Sequence, residues 1–190
     1  AKFVANAPVT IADALDIRAN GIVELNSFSE NGEAPNVVTN NVRIRSGGVL
    51  SHSGPNQTET AKLHLKVLGD MTVEDGGKVD VSFKGYDYNK GPGCANRTPL
   101  YASTASHWAG SLGTARIYGC IRKPFDYGSV CSWNNAELCR GGGAARLEVE
   151  GTLLVNGKVT SSANDNNGPG SGTGGSVWIT CGVLSGKGEV

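Results

Sequence analysis

The chain has 190 residues, enough for one domain with a sizeable core, but only 38% are hydrophobic and 28 are glycine. Its 17 basic and 17 acidic residues cancel to a net charge of zero, which argues against a phosphate-binding surface for nucleic acid and against a basic face for anionic membranes. No apolar run approaches the roughly 18 residues of a membrane span, and the opening Ala-Lys-Phe-Val-Ala-Asn has no signal-peptide shape.

In chain order, the first apolar pattern is Ile11-Ala-Asp-Ala-Leu15-Asp-Ile17, running into Gly21-Ile22. Val42-Arg-Ile44-Arg-Ser-Gly-Gly-Val49 is a shorter echo of it. The pattern returns in full as Val67-Leu-Gly-Asp-Met71-Thr-Val73-Glu-Asp-Gly-Gly-Lys-Val79-Asp-Val81, and again as Val149-Glu-Gly-Thr-Leu153-Leu-Val155-Asn-Gly-Lys-Val159-Thr-Ser161. A last copy opens at Val177-Trp-Ile179-Thr-Cys181 and ends at Val190 in mid-repeat. Within each copy apolar and polar side chains alternate, the period of a half-buried strand, and Gly or Asn-Gly separates the strands. Helical periodicity with caps is absent. Short strands joined by corners cannot bury an apolar face alone, whereas stacked copies bury it continuously.

The expected fold is therefore all-β: one domain over residues 1–190 forming a right-handed parallel β-helix of about five coils. Equivalent strands are expected near Val9–Ile11, Val42–Ile44, Leu63–Val67, Ala145–Val149 and Val177–Cys181, with Ile44, Leu65, Val67, Leu147, Val149, Ile179 and Cys181 inward. A β-sandwich or jelly roll is the competing architecture, but it gives no reason for a Gly-Lys-Val recurring at one phase. The open end of such a stack is an unpaired edge, so the domain is expected to be excised from a larger multidomain protein or capped by a partner.

Two segments interrupt the repeats. Residues 86–140 form a long insertion, and 162–175 a polar, Gly-rich loop. Four of the five cysteines, Cys94, Cys120, Cys131 and Cys139, fall within the insertion. Their spacing does not fit a zinc site and instead predicts two disulfides, of undetermined pairing, and a secreted or cell-surface setting. The fifth, Cys181, alternates in phase with Val177 and Ile179 and reads as a buried thiol.

Trp178 is expected to point outward, with Arg146 and Glu148 on the same face and His64 and Lys66 one coil further. An indole beside charged hydrogen-bonding groups suits sugar recognition, the ring covering a pyranose C–H face while the polar groups bind hydroxyls. The bland alternative is that the insertion packs over the indole. Trp108 and Tyr118 of the insertion are further binding candidates. Its remaining rings, Tyr101, Phe125, Tyr127 and Trp133, read as a satellite core. No hydrolase elbow, zinc-protease helix or nucleotide loop occurs, so no catalytic residue is assigned. No cofactor is expected. Calcium is the one metal left open, because the Asn-Asp-Asn-Asn-Gly string at Asp165 resembles a calcium loop, although it lacks the terminal Glu and reads as a turn. Asn56-Gln-Thr58 and Asn96-Arg-Thr98 are glycosylation sequons.

Gly141-Gly-Gly-Ala-Ala-Arg-Leu-Glu-Val-Glu-Gly-Thr-Leu153, Gly172-Thr-Gly-Gly-Ser-Val-Trp-Ile179 and Lys84-Gly-Tyr-Asp-Tyr-Asn-Lys-Gly-Pro-Gly93 resemble the Gly-rich β-helix repeats of large secreted bacterial proteins. A domain-sized member also resembles the parallel β-helix carbohydrate-binding modules that accompany gut bacterial xylanases. That resemblance implies a non-catalytic module that binds xylan or a related plant polysaccharide and targets an appended glycoside hydrolase. Two other functions compete: a structural or adhesive surface solenoid, and a polysaccharide lyase or hydrolase using Asp70, Asp80 and Lys66.

Overall fold

A computed structural model of the chain describes residues 1–27, 34–55, 61–87, 90–92, 94–95, 98–99, 118–132, 139–164 and 170–190. The described residues are all-β, with mostly parallel strands. Five repeats follow one another. The first is β1 (Lys2–Ala5), β2 (Thr10–Ile11) and β3 (Leu15–Ile17); the second is β4 (Ile22–Leu25), β5 (Asn36–Val38) and β6 (Val42–Ile44). The third is β7 (Val49–Ser51), β8 (Leu63–Val67) and β9 (Met71–Val73). The fourth holds β10 (Lys78–Asp80), three short strands of the insertion, β11 (Cys94–Ala95), β12 (Thr98–Pro99) and β13 (Val130–Ser132), and then β14 (Ala144–Val155). The fifth is β15 (Lys158–Thr160), β16 (Gly170–Gly172) and β17 (Ser176–Ser185).

Equivalent strands pair in parallel and build three ladders. The first runs β1-β4-β7-β10-β15. The second runs β2-β5-β8 and continues into the first half of β14, against which the first half of β17 lies. The third runs β3-β6-β9 into the second half of β14. The register reproduces the sequence alignment: Val149 pairs with Val67, Leu153 with Met71, Val155 with Val73 and Val159 with Val79. Parallel pairing throughout the ladders excludes an antiparallel sandwich.

Alternation puts Val38, Ile44, Leu65, Val67, Met71, Val73, Leu147 and Leu153 in a single buried core. Val177, Ile179 and Cys181 point the same way but are only partly buried, since no described strand lies beyond β17. One expected strand is displaced. Val42–Ile44 belongs to the third ladder, and its place in the second is taken by Asn36–Val38. Asn36 points inward, buried, and its amide satisfies itself on Ser27 Oγ (3.1 Å) and the His64 carbonyl (3.2 Å) while accepting from Val9 N–H (3.1 Å).

A glycine precedes each first-ladder strand after β1: Gly21, Gly48, Gly77 and Gly157, with Gly188 before the bridge from Glu189 to Lys158. A Cβ on Gly48 would come within 2.6 Å of the Ile17 carbonyl, and one on Gly77 within 2.6 Å of the Ile44 carbonyl. The corner is thus closed to any side chain, because each repeat seats its backbone on the one before. At the corner between ladders two and three, polar side chains make the equivalent link. Asn41 Oδ1 accepts from Asp70 N–H and Asp70 Oδ1 from Thr152 N–H, at 2.8 and 2.7 Å.

The long connections of repeats two to five all leave from one corner, between ladders one and two. The insertion is tied down there: β13 pairs antiparallel with β16 of the fifth repeat, and Gly85, Gly128, Gly141 and Gly142 interlock through backbone hydrogen bonds.

The two expected disulfides are not formed. Cys120 is an exposed thiol and Cys139 a buried one, so Cys94, Cys120, Cys131 and Cys139 cannot make two bridges among themselves. No disulfide appears among the described residues; Cys94 and Cys131 are described through their backbone alone. Buried aromatic packing and the glycine crossings anchor the segment instead.

Substituting Gly77→Val is expected to lower unfolding free energy by about 3 kcal/mol or more, whereas Gly174→Ala, where a Cβ meets only the Ser161 carbonyl at 3.5 Å, stays near neutral. Urea denaturation followed by far-UV circular dichroism checks both.

Candidate functional site

The outward side of the second ladder carries the expected cluster. Register places His64, Arg146 and Trp178 in one row and Lys66, Glu148 and Thr180 in the next. Five of the seven expected binding residues, Trp178, Arg146, Glu148, His64 and Lys66, therefore come together because the strands are parallel and unshifted there. Tyr118 does not join them. Its hydroxyl donates to the Tyr127 carbonyl (2.5 Å) and receives Ser129 Oγ (2.7 Å), bracing the base of the insertion. Trp108 lies outside the described residues, as do Tyr101, Trp133, Asn56, Thr58, Asn96 and Asp165.

The insertion covers one end of this wall. Phe125, Tyr127, Tyr86 and Ala144 form a small core against which Trp178 packs half-buried. Phe125 meets His64 edge-on at 5.8 Å, leaving His64 only 2% exposed. Lys62 is buried beneath the same rings, its Nζ donating to the Phe125 carbonyl at 2.5 Å. The guanidinium of Arg146 lies 4.1 Å from the Trp178 ring centre, so one face of the indole already carries a cation.

Glu148 organises the charges. Its Oε1 accepts from His64 Nε2 at 2.7 Å and forms an ion pair with Arg146 Nη2 at 2.8 Å. Lys66 pairs with Glu150 at 3.1 Å. Between these pairs and the fifth repeat lies a shallow cavity of about 340 Å³ lined by Lys66, Glu148, Glu150 and Thr180. Polar donors and acceptors of both signs border it, which suits hydroxyl-rich ligands rather than a bare anion or cation.

Two buried polar groups near the insertion's corner are structural. His52 stacks on Tyr127 at 5.5 Å, donates from Nδ1 to the Ser53 carbonyl (2.7 Å) and accepts Ala144 N–H at Nε2 (3.2 Å). Burial pulls its pKa down to about 4, and the ring is neutral. Burial pushes the Glu24 carboxyl up, but hydrogen bonds from Lys2 and Ser53 and the charges of Lys84 and Lys2 outweigh it and hold the group below the usual range.

The three residues a lyase would use are not gathered. Asp80 lies on ladder one and accepts Ser82 N–H, Asp70 caps Thr152, and Lys66 faces outward from ladder two. Among the described residues no group of three His, Cys, Asp or Glu is placed to hold a metal ion. Sequence reading missed Lys62 and His52 as buried polar residues, since both depend on where Phe125 and Tyr127 fold back. No protein-family model, curated protein or solved structure matches the chain.

Unfolded His52 gains a proton below pH ~6.5, whereas the folded ring gains one only below about 4. The unfolded state binds more protons between those values, so His52's contribution is complete above pH ~6.5 and is lost as pH falls toward 4. Unfolding free energy from urea melts is expected to drop by about 2 kcal/mol between pH 7.5 and 5. In His52→Phe most of that drop should vanish.

Proposed function

We propose that the chain is a parallel β-helix serving as a non-catalytic carbohydrate-binding module, with the outer wall of ladder two as its binding face. Each repeat visits the three ladders in the same order, and parallel crossovers are overwhelmingly right-handed; both support a right-handed solenoid. The observation that carries the functional reading is the cavity bordered by Lys66, Glu148, Glu150 and Thr180, next to the Arg146–Trp178 stack. Charged groups already held by one another present fixed donors and acceptors at low entropic cost, the arrangement that sugar hydroxyls reward. The exposed part of the indole and the stem of Arg146 supply apolar surface for a pyranose ring. The ligand proposed is a neutral plant cell-wall polysaccharide, xylan first, and the module would bring an appended glycoside hydrolase to it from a secreted or cell-surface protein.

A structural or adhesive solenoid is the second reading. It is favoured by large apolar residues exposed on the first and last described strands, Phe3 and Val4 of β1 and Val183 and Leu184 of β17. An enzyme is the third, and the scattering of Asp70, Asp80 and Lys66 weighs against it.

Affinity electrophoresis in gels containing xylan, β-glucan or pectin decides between them. Wild type is expected to be retarded on xylan, with Lys66→Ala and Trp178→Ala each weakening retention at least about fivefold. Lys66→Ala is the cleaner variant because Trp178 also packs on the insertion's core. Normal mobility of a folded wild type on all three polysaccharides would sink the reading.

A further inference from the structure

The turns from ladder three to ladder one are uneven. Four residues lie between β3 and β4, between β6 and β7 and between β9 and β10, but only Asn156 and Gly157 separate β14 from β15. In the longer turns Asn20, Gly47 and Gly76 hold the same left-handed conformation, with φ of 60, 76 and 78°. Asn20 N–H donates to the Gly47 carbonyl, and Gly47 N–H to the Gly76 carbonyl, both at 3.0 Å. The same conformation aims Gly76 N–H at the fourth repeat, where the shortened turn offers it no carbonyl; among the described residues no backbone acceptor receives it.

The two missing residues leave a notch of about 320 Å³. Lys78, Lys158 and Lys187 line it, with Asp75 and Glu189 as its acidic groups. Glu189 is engaged with Lys158 at 2.8 Å. Lys78 and Lys187 have no acidic partner among the described residues. Three lysines of a neutral-charge chain thus line one notch beside a left-handed glycine, Gly76, whose N–H is a single open donor, the next one, Gly77 N–H, being taken by the Glu74 carbonyl at 2.8 Å.

We propose that this notch binds a compact oxyanion of the carboxylate or sulfate class, seated on Gly76 N–H and held by Lys78 and Lys187. Lysine acts here as a point charge on a flexible stem, so the site selects charge and size rather than a planar fork. The notch sits at the ladder three-to-one corner, away from the wall of ladder two, and does not rest on the polysaccharide reading.

Amide ¹H–¹⁵N spectra of the whole chain test it, titrated with sodium sulfate and with sodium glucuronate. Controls are sodium chloride at matched ionic strength and glucose. The Gly76 and Gly77 amides should move saturably with sulfate, glucuronate or both, and not with chloride or glucose. Saturation by sulfate alone assigns a free inorganic anion, whereas tighter saturation by glucuronate assigns an acidic sugar. The paired substitution Lys78→Gln and Lys187→Gln should weaken binding at least about fivefold. Inserting Asp-Gly after Asn156, which restores a four-residue turn, should abolish it. Shifts that never saturate, that chloride reproduces, or that persist unchanged in the lysine variant would overturn the proposal.

Discussion

The architecture depends on the close approach of one repeat's backbone to the next at the corner before ladder one. There Gly21, Gly48, Gly77, Gly157 and Gly188 stack without side chains, and a Cβ would run into a neighbouring carbonyl. Once that corner closes, the parallel register of all three ladders follows. Apolar positions then superpose from repeat to repeat, and the core becomes one continuous column of Val, Leu, Ile and Met. The glycines lose more chain entropy on folding than other residues would. Hydrophobic burial in the shared core offsets that loss.

The same register makes the outer wall. His64, Arg146 and Trp178 come from segments far apart in sequence and become neighbours because their strands are equivalent members of one ladder. The wall is a by-product of stacking, onto which the insertion adds Phe125 and Tyr127. Those rings close one end of the wall, bury His64 and Lys62, and leave the side near Lys66, Glu150 and Thr180 open.

Much of this was legible in the residues. Matching Val67–Val81 with Val149–Ser161 gave the pairing partners of ladders one, two and three residue by residue. The outward alternation placed five wall residues together. Asn36–Val38 escaped notice because a polar Asn after Ala34-Pro35 looks like a turn, and its burial depends on Ser27 and the His64 carbonyl, contacts that no local pattern encodes. Clustered cysteines suggested staples, but Cys120 points to solvent while Cys139 is buried; proximity in sequence does not bring thiols to bonding distance. The half-burial of Trp178 was legible only as one of two alternatives, an open indole or one covered by the insertion, and the choice turns on how the insertion folds back.

Cross-strand nuclear Overhauser contacts between backbone protons of a ¹³C,¹⁵N-labelled sample probe the stacking most directly. In-register parallel contacts are expected to link His64 to Arg146 and Arg146 to Trp178, together with Arg43 to Thr72 and Thr72 to Leu154. Antiparallel contacts between these segments, or none, would contradict it.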